Sequence, residues 1–198
     1  DVPSDHVHFN HIMYMVSSGF MSGYSDGTFK PDNEIKRSEV IKTIVSILGY
    51  DYLAKSKGGY PAGYEIVAKT YGVINGVNFD YSEYILKEEI LKILINSLDV
   101  SLALVTGVEN DDYIITTEYN KTIRTEYLKM YKGKGLVTAN EFTSVKGRKT
   151  TQGYLTIDEK LSLRIKDFSL ISYIGLNVEF LYKDSTEEIQ GKLEELLK

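Results

Sequence analysis

The sequence predicts an α+β fold: two α-helical helix–loop–helix repeats, a small mostly β module, and a helix at the C-terminus. Three observations carry that prediction. The first is a unit that occurs twice within the first hundred residues, since Gly19-Phe20-Met21-Ser22-Gly23 is matched by Gly72-Val73-Ile74-Asn75-Gly76. Ile35-Lys36-Arg37-Ser38-Glu39 is likewise matched by Ile85-Leu86-Lys87-Glu88-Glu89, and a period of about fifty residues is the signature of stacked supersecondary units. The second is a change of pattern beyond Leu104, where helical spacing gives way to short segments rich in β-branched and aromatic residues. The third is the tail after Asp184, where Ser185 and Glu188 resemble a capping box and Ile189, Leu193, Leu196 and Leu197 fall at helical spacing. The expected boundaries are 1–49 and 50–100 for the repeats, 104–184 for the β-rich module and 185–198 for the tail helix.

In chain order, residues 5–18 have the content of a short helix, with Asp5 as N-cap, an apolar stripe of Ile12, Met15 and Val16, and Gly19 as its stop. The segment Gly23–Asn33 is dense in turn formers and reads as a structured loop. From Arg37 a second helix sets Val40, Ile41, Ile44, Val45 and Leu48 on one face, and Gly49 closes it. The second copy repeats the plan with a helix over Ala62–Tyr71 and another over Lys87–Leu98, whose expected core stripe is Ile90, Leu91, Leu94, Ile95 and Leu98. Neither copy can bury its apolar face alone, so the two should pack together. In the third region, strands are expected at Tyr113–Thr117, Gly135–Asn140, Gly153–Ile157, Leu161–Ile165 and Asn177–Lys183, with helices over Thr122–Tyr131 and Asp167–Ile174.

Composition narrows the functional classes. The 198 residues are 42% apolar and 26% charged, ordinary for a chain with a real core. Residues 1–100 carry 9 Lys and Arg against 13 Asp and Glu, and residues 101–198 carry 14 against 15. Neither half offers the basic face that nucleic acid requires. With no cysteine there is no disulfide framework, zinc–thiolate site or cysteine nucleophile. No run reaches the roughly 20 apolar residues of a membrane span, so membrane insertion is not expected. A chain that opens on Asp1 rather than methionine reads as a processed or excised piece.

Candidate chemical groups are few. His6, His8 and His11 are the only histidines; His8 and His11 can share a helical face but His6 and His8 cannot, which argues against a metal site. Asp26, Asp32 and Glu34 have the rough spacing of a calcium loop, broken by Phe29-Lys30-Pro31. The acidic pairs Asp111-Asp112 and Asp158-Glu159 read as solvated turns rather than the facing carboxylates of a hydrolase. Lys129, Lys132, Lys134, Lys146, Arg148 and Lys149 give the β-rich region a local basic character that suits exposed edges and loops. No catalytic residue, metal or cofactor is expected.

The loop residues carry a resemblance. Asp1-Val2-Pro3, His6, Gly19, Gly23, Asp26-Gly27-Thr28-Phe29-Lys30-Pro31 and Ile35-Lys36-Arg37-Ser38-Glu39 together resemble an S-layer homology repeat of bacterial surface proteins. Gly59–Tyr64, Asn96–Asp99 and the segment KGLVTANEFTSV within Lys134–Val145 are similar to stretches of clostridial proteins of that kind. The resemblance implies a non-enzymatic Gram-positive surface protein of the cell wall or S-layer. Its partner would be an anionic, often pyruvylated, secondary cell-wall polysaccharide bound in grooves between repeats. Carried over residue by residue, it implies Arg37 as the carboxylate ligand, with Lys30, Gly23, Gly27 and Asp26 beside the sugar. Departures accompany it: Val7 stands where the family has tryptophan, Lys87 where a second arginine is expected, and no third repeat is visible. The alternative expectation is a structural subunit of a surface layer or virion, in which the repeats are protein-packing modules and the chain self-associates.

Overall fold

The computed structural model describes residues 1–79, 82–109, 112–165 and 168–183, and the expected tail helix at 185–198 lies outside them. The chain divides into two compact units, Asp1–Tyr127 and Leu128–Lys198. Helices and two antiparallel sheets make it α+β, as expected.

The first unit is built from α1 (Phe9–Ser17), α2 (Arg37–Ile47), α3 (Asp51–Ser56), α4 (Ala62–Thr70), α5 (Lys87–Ser97), the hairpin β1 (Ser101–Glu109) with β2 (Asp112–Thr122), and the single turn α6 (Ile123–Glu126). Its hub is α2, whose Val40, Ile41, Ile44, Val45 and Leu48 form the expected stripe and are all buried. Around them pack Tyr50, Ala54 of α3, Tyr64, Val67 and Ala68 of α4, Val73, and Ile93 of α5. Both long helices start in the same way: Glu39 Oε2 accepts the Lys36 amide, and Glu89 Oε2 accepts the Leu86 amide, each at 2.8 Å. That carboxylate satisfies one amide at the helix entrance that has no intrahelical partner. The two entrances lie antiparallel to one another, with Arg37 N donating to Glu83 O at 2.9 Å and Ile85 N to Ile35 O at 3.3 Å. The duplicated segments are thereby stitched together by an antiparallel bridge between Lys36 and Tyr84.

Four expectations are corrected. First, α1 begins at Phe9, with His8 rather than Asp5 at the cap position, because residues 3–9 are held in turns by His6 N to Pro3 O and Phe9 N to His6 O. Second, the core row of α5 is Glu89, Ile93 and Ser97, while Leu91, Leu94 and Ile95 of the expected stripe are exposed. Two polar residues can occupy that buried row because each is satisfied locally, Glu89 by the Leu86 amide and Ser97 Oγ by donating to Ile93 O at 2.6 Å. Third, a strand begins at Ser101, where none was expected. Its docking depends on Gly49, in the left-handed region at φ 87°, where a Cβ would lie 2.3 Å from the Ala103 carbonyl; Ala103 N donates to Leu48 O at 2.8 Å. Fourth, the helix expected over Thr122–Tyr131 is only one turn, capped by Thr122 Oγ1 accepting the Thr125 amide at 3.2 Å, and strand pairing resumes at Met130.

The second unit is a four-stranded antiparallel sheet in the order β5-β4-β3-β6: β3 (Met130–Ala139), β4 (Tyr154–Ile157), β5 (Leu161–Arg164) and β6 (Asn177–Lys183). These strands fall on the expected ones to within a residue at each end, except that β3 begins at Met130 rather than Gly135; the helix expected over Asp167–Ile174 is a 3-10 helix at Phe168–Tyr173, with Asp167 outside the described residues. Val137, Leu155 and Ile157 are its core. Asn140, 2% exposed, ties the unit together: its Oδ1 accepts the Phe142 and Thr143 amides at 2.9 and 2.7 Å, and its Nδ2 donates to Ile171 O at 3.0 Å.

Candidate carbohydrate-binding surface of the first repeat

The loop between α1 and α2 is ordered by its own charged residues. Asp26 Oδ1 accepts both the Thr28 amide at 3.0 Å and the Thr28 hydroxyl at 2.6 Å, while Asp26 Oδ2 pairs with Lys30 Nζ at 2.9 Å. The Thr28 hydroxyl first, and the Lys30 ammonium second, hold the Asp26 carboxyl far below the usual carboxylate range. Lys30, itself at φ 55°, also lies over the Tyr24 ring at 4.7 Å. The Asp1 carboxylate accepts the Phe29 and Lys30 amides at 2.8 and 2.7 Å, closing the loop onto the start of the chain. Gly23 must be small because Tyr24 N donates to Thr28 O at 2.7 Å, and a Cβ on Gly23 would sit 2.4 Å from that oxygen. Gly27 takes the left-handed turn at φ 81°.

Beside this loop lies an open cleft of about 460 Å³, whose lining includes Gly23, Tyr24, Lys30, Glu34, Lys42 and Tyr60. The cleft offers aromatic faces and two ammonium groups. Lys42 Nζ stands 5.9 Å from the Tyr60 ring centre, and the Tyr60 hydroxyl is 2.8 Å from Ser38 Oγ. The structure therefore brings Gly23 and Lys30 together at the cleft, whereas Asp26, Gly27 and Arg37 do not line it. Lys42 and Tyr60 were not singled out from the sequence. The signal for them was weak, since Tyr60 comes from the second repeat and meets the cleft only through the fold.

Arg37 points elsewhere. As the first residue of α2, it places its guanidinium carbon 4.7 Å from the Phe79 ring centre, on the loop of the second repeat. Among the described residues no carboxylate forms an ion pair with it. Its neighbour Lys36 is committed to Glu83 at 2.8 Å, which raises the Lys36 pKa. A half-buried guanidinium on an aromatic face at a helix N-terminus is suited to a planar anion, which it would meet with a fixed fork of donors.

The remaining sequence candidates have local roles. His6 Nδ1 accepts the His8 amide at 3.1 Å, and among the described residues no group of three His, Asp or Glu could hold a metal ion. Asp158 and Glu159, at φ 48° and 64°, make the turn between β4 and β5. Asp158 Oδ1 accepts the Leu136 amide at 2.9 Å, and Glu159 pairs with Lys146 at 2.6 Å. Lys134 faces Glu179 at 3.8 Å. Asp111 lies outside the described residues.

Comparison with known proteins finds that residues 1–41 match the S-layer homology domain. The chain is also 26% identical over 102 residues to a cell surface protein of Thermoanaerobacter kivui, across 52% of this chain and 13% of that protein. Residues 1–41 are thus similar to an S-layer homology domain, and the chain spans 13% of the length of the cell surface protein it matches. Among the described residues no helix is long and apolar enough to cross a membrane.

Proposed function

We propose that the first unit is a non-enzymatic anchor that holds the parent protein to the cell wall by binding an anionic secondary polysaccharide, with Arg37 as the carboxylate ligand. In this reading, 1–49 and 50–100 act as two repeats of one anchor. The observation that carries it is the Arg37 guanidinium, which lies on Phe79 between the two repeats with no ion-pair partner among the described residues. The neighbouring charges are spent on structure: Glu39 caps α2, Lys36 holds Glu83, and Asp26 holds Lys30. Arg37 is the charge in the motif left for a ligand. Lys30 and Gly23 would contact the sugar from the cleft side, with the Tyr24 and Tyr60 rings as stacking surfaces, while Asp26 and Gly27 shape the loop that presents them. A pyruvyl ketal is the class of substituent that suits a guanidinium best, because its carboxylate is ionised at any relevant pH.

The test is sedimentation of the chain with purified cell-wall sacculi, before and after extraction of their secondary polysaccharide. Hydrogen bonds to a charged group are worth about 1.5–3 kcal/mol, so Arg37→Ala should weaken binding by roughly 10- to 150-fold. Lys87→Ala, at the matching position of the second repeat, should bind as the unmodified chain does. Equal binding by Arg37→Ala and the unmodified chain would remove Arg37 from the site, and no binding to intact sacculi would remove the anchoring role.

A further inference from the structure

Dividing the charges at the boundary between the two units, rather than at the middle of the chain, uncovers an asymmetry. Residues 1–127 carry 11 Lys and Arg against 18 Asp and Glu, whereas the described residues of the second unit carry 9 against 4. Those four carboxylates are all engaged. Glu141 Oε2 accepts the Gly153 amide at 2.8 Å and Asp158 Oδ1 the Leu136 amide at 2.9 Å, while Glu159 and Glu179 face Lys146 and Lys134. The described residues of the second unit therefore hold a surplus of cations that their own acids do not neutralise.

The surplus gathers on the loop between β3 and β4, residues 140–153, which keeps its shape while exposing its side chains. The buried Asn140 takes the Phe142 and Thr143 amides, Val145 N donates back to Thr138 O at 2.8 Å, and Thr150 N donates to Asn140 O at 3.1 Å. Between those ties Phe142 is 62% exposed, and Lys146, Arg148 and Lys149 all reach solvent. The Lys146–Glu159 pair sets the loop against the turn between β4 and β5, where the exposed Lys160 follows. Arg148, Lys149 and Lys160 form no ion pair among the described residues. A loop already fixed by its backbone gives up little entropy when it meets a ligand.

We propose that this loop and turn form a polyanion-binding surface for a flexible wall polymer that carries one carboxylate or phosphate per repeating unit. Arg148, Lys149 and Lys160 meet the anions, and Phe142 offers its ring face to a sugar ring between them. Exposed cations suit a polymer rather than a single small anion, because each screened contact is weak alone and several must act together. The inference rests on the cell-surface setting of the reading above, but it uses none of the residues assigned to the Arg37 site.

The experiment is fluorescence anisotropy with labelled poly(glycerol phosphate) and polygalacturonate. It is made on the whole chain carrying Arg37→Ala, so that the Arg37 reading can hold or fail without altering the outcome. The phosphates of the first polymer are spaced as closely along its backbone as those of a single-stranded nucleic acid, for which each contact contributes about 0.7 to the salt slope. With three contacts, raising salt from about 50 to 200 mM should weaken binding roughly 20-fold, but only about threefold in Arg148→Gln/Lys149→Gln, where one contact is left. At the lower salt that double variant should bind roughly 30-fold more weakly. Lys55→Gln/Lys57→Gln removes the same charge from exposed positions of the first unit and should change binding by less than about twofold. Binding of both polymers would identify the repeated anion as the feature recognised. Binding of polygalacturonate alone, weakened further by Phe142→Ala, would identify an acidic sugar chain, and binding of poly(glycerol phosphate) alone a phosphodiester chain. No binding of either polymer, unchanged binding in Arg148→Gln/Lys149→Gln, equal losses in the two double variants, or capture by phosphatidylglycerol vesicles alone would each overturn the proposal.

Discussion

Two isoleucines of α5, two positions apart, should respond oppositely to the same substitution. Ile93 is fully buried against the α2 hub, and Ile95 is 62% exposed. Truncating Ile93 to alanine removes three carbons from a packed site and leaves a cavity, which costs about 2–5 kcal/mol. Ile95→Ala removes nothing from the core of the isolated chain. Since alanine is the better helix former by a few tenths of a kcal/mol, the change should be neutral or slightly stabilising. With an unfolding entropy near 2.1 cal/mol/K per residue, a unit of this size loses about 4 °C of Tm per kcal/mol. Ile93→Ala should therefore lower the midpoint by roughly 8–20 °C, and Ile95→Ala should leave it within about 2 °C. Thermal melts followed by far-UV circular dichroism at a dilute concentration, where self-association does not contribute, read both. Equal losses, or a larger loss at Ile95, would refute the assignment of the core row to Glu89, Ile93 and Ser97.

Other substitutions probe other joints. Gly63→Ala would put a Cβ 2.0 Å from the Ala54 carbonyl where α4 crosses α3, so a loss of about 1–3 kcal/mol in urea denaturation is expected, and wild-type stability would contradict that crossing. Arg124, which pairs with Asp99 through Nε and Nη2 at 2.6 and 3.0 Å, anchors α6 to the end of α5. Because Asp99 is partly exposed, Arg124→Met should cost only about 1–2 kcal/mol, and the double variant with Asp99→Asn little more; fully additive losses would mean the pair is not coupled. Tyr64 donates to Asp51 Oδ1 at 2.8 Å, and burial first, with that hydrogen bond second, pushes its phenol up from 10.0 to about 12. A raised phenol contributes stability that is fully present below pH 10 and is lost as pH climbs through the folded value. The unmodified chain should thus lose more stability than Tyr64→Phe between pH 10 and 12, while Tyr50, shifted the same way by burial, contributes equally to both. Asp26 is shifted downward, so its share is present above pH 3.8 and fades only in stronger acid. Carbon-detected NMR should find the Asp26 midpoint well below 3.8, rising more in Thr28→Val than in Lys30→Ala.

How far the sequence carried the fold depended on whether a signal was local. The two long helices were legible because α2 concentrates its apolar residues in one stripe and both helices begin at a carboxylate three residues from the cap position. In α5 the same reading failed. Leu91, Leu94 and Ile95 outnumber Ile93 and look like the core, but burial is set by which side has a neighbour, and periodicity does not contain that fact. The hairpin strand β1 was missed because Ser101–Ala103 is held by Gly49, whose meaning as a docking notch depends on a chain segment far away. At the site, the loop residues announced themselves through turn chemistry. Lys42 and Tyr60 did not, because a cleft between distant segments has no local spacing.

The glutamate and arginine of the duplicated motif now separate in role. Glu39 and Glu89 perform the same task in both copies, closing a helix entrance, and that task needs no ligand. Arg37 and Lys87 share a position but not a chemistry, since a guanidinium offers a planar fork and an ammonium only a point charge. In the proposed reading, a repeat with the glutamate but without the arginine keeps the closed helix entrance and lacks the carboxylate ligand, as the second copy does. The same copy exposes Leu91, Leu94 and Ile95 on its second helix. Duplication thus supplies one scaffold twice, and the two copies diverge at the positions the scaffold leaves unused: Arg37 in the first, and the open face of α5 in the second.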